Sequence, residues 1–172
     1  YSINISKEIS EIINLVLVVT IVFYIFNLFG IVYLGDSGSY LLSLTVGFIL
    51  IKIHQDTNLI SPYYIANMLW YPAFENLFSL LRRFLNKNKV SSADKLHLHQ
   101  LIFRFLRSKA FIKNDWINTA SGFILILLNL PSIYLATYFY FHSIILISVI
   151  FYNISLYLLI YYLLSKNFRL KK

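Results

Sequence analysis

Long stretches without a single charged side chain constrain this sequence more than any other feature. Residues 12–34, 37–51, 57–74 and 116–165 contain no Asp, Glu, Lys or Arg. A helix that crosses a bilayer needs about 20 mostly apolar residues, and the last stretch is long enough for two such helices with a turn near His142. The sequence therefore predicts an all-α, polytopic transmembrane protein with about five spans, at 10–32, 38–55, 61–82, 116–138 and 143–164.

The composition argues against a soluble fold. Of the 172 residues, 59% are hydrophobic and 13% are charged, whereas soluble domains carry about 25% charged residues. A soluble helical bundle would also need charged outer faces, which these stretches lack. Because the chain has no cysteine, disulfides, iron–sulfur clusters and cysteine-ligated zinc are excluded.

The distribution of positive charge predicts how the helices are oriented. Thirteen of the 15 Lys and Arg residues lie in 82–113 and 166–172, and the other two are Lys7 and Lys52. Positively charged loops stay in the cytoplasm, so five spans place both basic segments and the turn at 35–39 on that side. We therefore assign the net charge of +8 to a membrane surface and expect no nucleic-acid partner.

We interpret 1–172 as a single membrane domain, and because it begins at Tyr1 rather than Met, as the C-terminal part of a longer protein. Its one long hydrophilic stretch, 86–115, predicts a cytoplasmic loop. Ser91 and Asp94 have capping-box spacing in this loop. Apolar residues follow at helical spacing, namely Leu98, Leu101, Ile102, Phe105 and Leu106. This pattern predicts a short amphipathic helix lying on the inner leaflet.

A glycine-rich turn is the first candidate for chemistry. It reads Gly35-Asp36-Ser37-Gly38-Ser39 and stands at the predicted cytoplasmic mouth of a helix pair. Glycines let backbone N–H groups approach phosphate oxygens closely, and a lone carboxylate beside phosphates is a common way to hold Mg²⁺. The alternative is structural: Asp36 or Ser37 caps the next helix while the glycines form the turn.

Two histidines form the second candidate, in the sequence His97-Leu98-His99-Gln100. Residues at i and i+2 lie on opposite faces of a helix but on the same face of an extended segment. For the two rings to act together, we therefore expect the helix to begin at or after His99. The alternatives are two surface histidines at a membrane interface, or two metal ligands.

The third candidate combines Pro72, Glu75, Arg82 and Arg83. An ionisable residue within or near a span is unfavourable and usually functional, and Pro72 would kink the helix. The arginine pair has the donors to bind a nucleotide diphosphate or a lipid phosphate. The alternative is that the arginines only anchor the helix end in the cytoplasm.

Together these sites resemble one family, the bacterial polyprenyl-phosphate N-acetylhexosamine-1-phosphate transferases. The resemblance covers about residues 12–112 and rests on Phe26-Asn27, Leu34-Gly35-Asp36-Ser37-Gly38-Ser39, Pro72 with Glu75, Arg82-Arg83, and Ala93-Asp94-Lys95-Leu96-His97-Leu98-His99. It implies Mg²⁺-dependent transfer of a sugar 1-phosphate from a UDP-N-acetylhexosamine to undecaprenyl phosphate, with release of UMP. The expected location is the bacterial inner membrane, with the active face in the cytoplasm.

The resemblance also implies roles for individual residues. Asp36 would hold Mg²⁺, or Mn²⁺ in its place, and His97 and His99 would be catalytic groups in the nucleotide-sugar loop. Substrate contacts would come from Gly35, Ser37, Gly38, Ser39, Arg82, Arg83 and Gln100. A homodimer is left open, and the identity of the sugar is not specified by any of these residues.

Two departures from the family pattern matter. Gln100 stands where relatives have a third histidine, and an amide can hydrogen-bond but cannot carry a proton. The family's paired aspartates on an earlier loop have no match, so we expect this chain alone to be inactive. The alternatives are a non-catalytic homologue or lipid-binding scaffold, and a zinc hydrolase using His97, His99 and a third ligand such as Asp36 or Asp94.

Overall fold

The computed structural model describes residues 6–57, 60–85, 96–109, 113 and 116–169, with side chains described as far as residue 166. These residues form seven helices and no strand. In chain order the helices are α1 (Lys7–Leu28), α2 (Gly35–Thr57), α3 (Pro62–Met68), α4 (Trp70–Leu85), α5 (Leu98–Lys109), α6 (Ile117–Tyr138) and α7 (Ser143–Arg169). The prediction of an all-α polytopic membrane protein is confirmed.

Four helices are long and apolar enough to cross a membrane, namely α1, α2, α6 and α7. The third predicted span, 61–82, differs from the expectation of one continuous helix, because it is divided at Leu69 into α3 and α4. Pro72 explains the break: proline lacks the N–H that would bond to the carbonyl four residues earlier, and its ring clashes with that carbonyl. The residue four positions earlier is Met68, where α3 ends.

The described chain divides into two compact units, at Ile65–Ala66. In the first unit, α1 ends in a left-handed Gly30 with φ +68°. The Gly30 N–H donates to Asn27 O and the Ile31 N–H to Phe26 O, which is the Schellman arrangement that ends helices. The Asn27 side chain also donates to Val32 O at 2.9 Å, and so fixes the connection that leads into α2.

The second unit has its core where α4, α5 and α7 meet. Leu98, Ile102 and Tyr157 are buried there, and Phe74 and Phe78 of α4 pack against them. The apolar stripe of α5, which the sequence assigned to the inner leaflet, is therefore covered by protein. The helices α6 and α7 also contribute to this cover, because α5 packs against both of them.

Interhelical hydrogen bonds connect the spanning helices of the second unit. The Asn153 Nδ2 of α7 donates to Ser132 Oγ of α6 at 2.6 Å, and Asn67 Nδ2 of α3 donates to Leu146 O of α7 at 3.0 Å. Both asparagines are buried. Lipid offers no alternative partner for a polar side chain, so such bonds fix how the helices pack.

Candidate functional site

The predicted site residues are distributed over the two compact units. The glycine-rich turn with Asp36 belongs to the first unit, whereas Arg82, Arg83, His97, His99 and Gln100 belong to the second.

The glycine-rich turn begins α2. Gly35 has φ +65°, a left-handed conformation that glycine adopts readily, and it turns the chain into the helix. Asp36 lies exposed in the first helical turn, where the positive end of the helix dipole favours a negative group. The Ser39 hydroxyl donates to Gly35 O at 2.8 Å. The carboxylate therefore stands at the surface on a well-defined turn.

Gly38 allows the chain before the helix to approach closely. A β-carbon at this position would lie 2.9 Å from both Cγ and Cδ1 of Leu34, well inside van der Waals contact. A larger side chain would push Leu34 away and change the entry of the chain into α2. Gly38 thereby has a packing function in addition to its predicted substrate contact.

The histidine pair lies at the N-terminus of α5. The helix begins at Leu98, so the expectation that it begins at or after His99 is wrong. His97 nevertheless precedes the helix and accepts the first helical hydrogen bond, from Leu101 N–H at 3.0 Å. This N-cap position frees its backbone from helical geometry. The rings of His97 and His99 are therefore stacked, with centroids 5.6 Å apart and planes 14° apart.

Glu75 of α4 holds this segment in place. Its Oε1 lies 3.0 Å from His97 Nδ1 and accepts the Leu98 N–H at 2.9 Å. An ionised carboxylate can only accept hydrogen bonds, so against an ionised Glu75 the His97 Nδ1 would carry the proton. Glu75 is buried, and its carboxylate also satisfies one of the free N–H groups that begin α5.

Arg82 holds the residue just before the histidine. Its Nη1 donates to Leu96 O at 2.8 Å and to the Tyr161 hydroxyl of α7. The guanidinium also lies 5.6 Å from the ring centroid of Tyr161 and 5.9 Å from that of Phe78, within cation–π range. Glu75 and Arg82 are two turns apart and so lie on one face of α4. That face carries the His97 segment.

The remaining basic and polar residues have different surroundings. Arg83 Nη2 donates to Ser79 Oγ on its own helix at 3.3 Å, and Gln100 is half-buried in the first turn of α5. The His99 side chain is exposed, yet partial burial desolvates its ring and lowers its pKa below the usual value. The nearby Glu75 opposes this shift and His97 adds to it. The neutral form of His99 is thus favoured.

The donor sets fit the proposed metals to different degrees. Asp36 offers one carboxylate at an exposed helix N-terminus, which matches the way Mg²⁺ is held by one or two carboxylates together with substrate phosphates and water. Zinc requires about four ligands in tetrahedral geometry. Over the described ranges, no three His, Asp or Glu side chains gather into a metal site. Asp94, the other suggested zinc ligand, lies outside the described residues.

Sequence reasoning identified Glu75 and Arg82 as unusual but did not predict their connection to His97. Glu75 was singled out as an ionisable residue in a span, and Arg82 as a phosphate ligand. The available signal was their spacing on one face of α4, combined with the free helix N-terminus at Leu98. Tyr161 was not singled out, because one tyrosine among 14 in the chain carries no pattern.

A comparison with curated proteins supports a relationship at the level of the family. Over 75 residues the chain is 31% identical to the probable undecaprenyl-phosphate N-acetylglucosaminyl 1-phosphate transferase of Bacillus subtilis strain 168. The match covers 43% of this chain and 21% of that protein, so the chain spans only about a fifth of its relative. No family model matches the chain, and no solved structure matches it.

Proposed function

We propose that this chain is part of a membrane enzyme that transfers an N-acetylhexosamine 1-phosphate from a UDP-sugar to undecaprenyl phosphate. The observation that carries the proposal is the stacked His97–His99 pair, whose segment is held by Glu75 and Arg82 of α4. The similarity to the Bacillus subtilis transferase supports the same class of reaction. In this proposal the site faces the cytoplasm of a bacterial cell, where the nucleotide sugar is found.

The reaction consists of one exchange at phosphorus. An oxygen of the lipid phosphate attacks the phosphorus that bears the sugar, and the bond from that phosphorus to the bridging oxygen breaks. The electron pair leaves with UMP, and the product is a sugar joined to the lipid by a diphosphate. Catalysis of this kind depends on positioning and on stabilising negative charge on the transferring group.

We assign the roles by chemistry. Asp36 would hold Mg²⁺, which would supply positive charge to stabilise the negative charge of the phosphates. His97 and His99 would donate hydrogen bonds to the sugar diphosphate or move a proton at the lipid phosphate. The basic residues around α4 and α5 would attract both anionic substrates to the membrane surface.

Transfer by the full-length protein tests the proposal. Membranes that contain it are incubated with undecaprenyl phosphate and radiolabelled UDP-N-acetylglucosamine, and a panel of other UDP-N-acetylhexosamines is run in parallel. We expect labelled lipid and UMP in equal amounts, loss of both with a chelator, and recovery with Mg²⁺. Release of UDP instead of UMP would contradict the reaction.

Matched variants connect the activity to the site. His97→Ala should abolish most of the transfer, whereas His142→Ala, which changes the histidine between α6 and α7, should leave it near the wild-type rate. A protein that binds undecaprenyl phosphate but transfers nothing from any sugar nucleotide would favour the scaffold alternative. Stoichiometric bound zinc together with hydrolysis would favour the hydrolase.

A further inference from the structure

We propose that Glu75 is the positioning residue for His97, and that it fixes both the orientation and the tautomer of this imidazole. The inference rests on the proposed function only for its effect on turnover. Its structural part concerns residues of this chain alone. Neither the resemblance nor the similarity to the Bacillus subtilis protein assigns Glu75 any role.

The geometry of the Glu75 carboxylate supports this role. A single oxygen, Glu75 Oε1, contacts His97 Nδ1 at 3.0 Å and the Leu98 N–H at 2.9 Å. These two donors belong to adjacent residues, so the carboxylate fixes the ring relative to the backbone at the start of α5. A flexible histidine in a loop would lose rotamer freedom on binding a substrate, whereas this one is already oriented.

The same contact determines which ring nitrogen of His97 carries the proton. With Nδ1–H directed at the carboxylate, the neutral ring has its lone pair on Nε2. His97 is thereby set to accept a proton or a hydrogen bond through Nε2. An isolated imidazole would exchange between the two tautomers.

The side chains of Glu75 and His97 are both largely shielded from solvent. The Glu75 side chain is 10% exposed and that of His97 is 20% exposed. Truncating Glu75 would leave buried donors without their acceptor, a situation that proteins seldom tolerate. The Tyr71 and Tyr157 hydroxyls also interact with the carboxylate. Within the described residues, His97 Nδ1 and the Leu98 N–H are thus the two groups that Glu75 Oε1 holds.

The tautomer can be measured directly. In the ¹⁵N-histidine-labelled full-length protein in nanodiscs at pH about 8.5, where neutral imidazole predominates, long-range proton–nitrogen spectra distinguish Nδ1–H from Nε2–H. Signals are assigned by replacing each histidine in turn. We expect His97 in the Nδ1–H form. An Nε2–H form in the wild-type protein would overturn the proposal.

Substitution of Glu75 tests the effect on turnover. Glu75→Gln keeps the size and an acceptor for Leu98 N–H but removes the charge, so it keeps the proposal falsifiable even where Glu75→Ala fails to fold. We expect Glu75→Gln to mix the two tautomers and lower kcat by about 10–100-fold, by analogy with the loss seen when the hydrogen-bond partner of a metal-bound histidine is changed. KM for the UDP-sugar should change little, and Glu75→Ala should be worse.

Asp56→Asn is the matched control, because Asp56 pairs with Lys52 on α2 at 3.0 Å and lies in the other unit. It should leave both the tautomer and kcat unchanged. Wild-type turnover with an unchanged tautomer in Glu75→Gln would overturn the inference. A wild-type protein with the Nδ1–H tautomer but no sugar-phosphate transfer would contradict the proposed function and leave the orientation of His97 supported.

Discussion

Replacing Arg82 with lysine distinguishes two roles for the same positive charge. Arg82 was predicted from the sequence to contact substrate phosphates, while the structure has its guanidinium bonded to Leu96 O and to the Tyr161 hydroxyl. Lysine keeps the charge but lacks the planar fork that reaches both partners at once. We expect the positioning role to dominate, so that Arg82→Lys loosens the segment that carries His97.

The contacts set the size of the effect. A hydrogen bond from a charged donor contributes about 1.5–3 kcal/mol, and a cation–π contact at a partly exposed site about 0.5–1 kcal/mol. Lysine can keep one hydrogen bond, and solvent weakens the contacts of a half-buried group. A net loss of roughly 1–2 kcal/mol follows, which corresponds to about a 5–30-fold effect on an equilibrium.

The assay separates kcat from KM in the full-length protein. A positioning role predicts that kcat falls by about 5–30-fold while KM for the UDP-sugar stays within about twofold, since the charge remains. Hydrogen exchange at the amides of Leu98 and Leu101 should quicken as the start of α5 opens. Lys52→Arg is the control, because Lys52 pairs with Asp56 on its own helix and is not among the predicted site residues, and it should change neither quantity. A raised KM with unchanged kcat would refute the reasoning.

Four further perturbations test the rest of the site and the topology. Asp36→Asn keeps the size of the side chain but removes the charge proposed to hold Mg²⁺, and steady-state assays should show activity reduced at least about 100-fold, roughly 2.7 kcal/mol; near-normal turnover would leave Asp36 as a helix-start residue only. His99→Gln should retain more transfer than His99→Ala, and His97 should tolerate glutamine less well, because an amide can donate a hydrogen bond but cannot move a proton; equal wild-type rates for the two alanine variants would make the pair a surface feature. Burial lowers the pKa of His99, so at acidic pH the unfolded state binds more protons than the folded state. Stability should therefore fall as the pH drops below about 6.5. Thermal melts should show this loss, and His99→Gln should reduce it. Single cysteines at Lys89, which lies outside the described residues, and at Asp56 should react with an impermeant reagent from opposite sides of the membrane; labelling from one side would contradict the five-span topology.

The predicted and observed helix bounds show how much of the fold can be predicted from local sequence pattern. The bounds predicted for the last two spans, 116–138 and 143–164, agree with α6 and α7 to within a few residues, because bilayer thickness and uncharged sequence act on each helix independently. The third span was predicted as one helix although Pro72 stands inside it. The break at Leu69 follows from the missing proline N–H. This effect is local, but the prediction of one span was based on hydropathy.

The start of α5 shows where local reasoning stops. From spacing alone, two histidines at i and i+2 required an extended segment, and the helix was expected to begin at or after His99. The helix begins one residue earlier, at Leu98, and Glu75 accepts its first N–H. This carboxylate lies more than 20 residues away in the chain, so no local pattern contains the contact.

The sequence by itself determined the class of protein, the apolar helices and the residues able to do phosphate chemistry, because each of these follows from side-chain type and from spacing along a short segment. Only the tertiary structure decided how they are used. It brought Glu75 and Arg82 of α4 against the chain at 96–98, and it covered the apolar face of α5 with protein. Such contacts depend on how helices distant in the chain pack against each other, and no single segment specifies that packing.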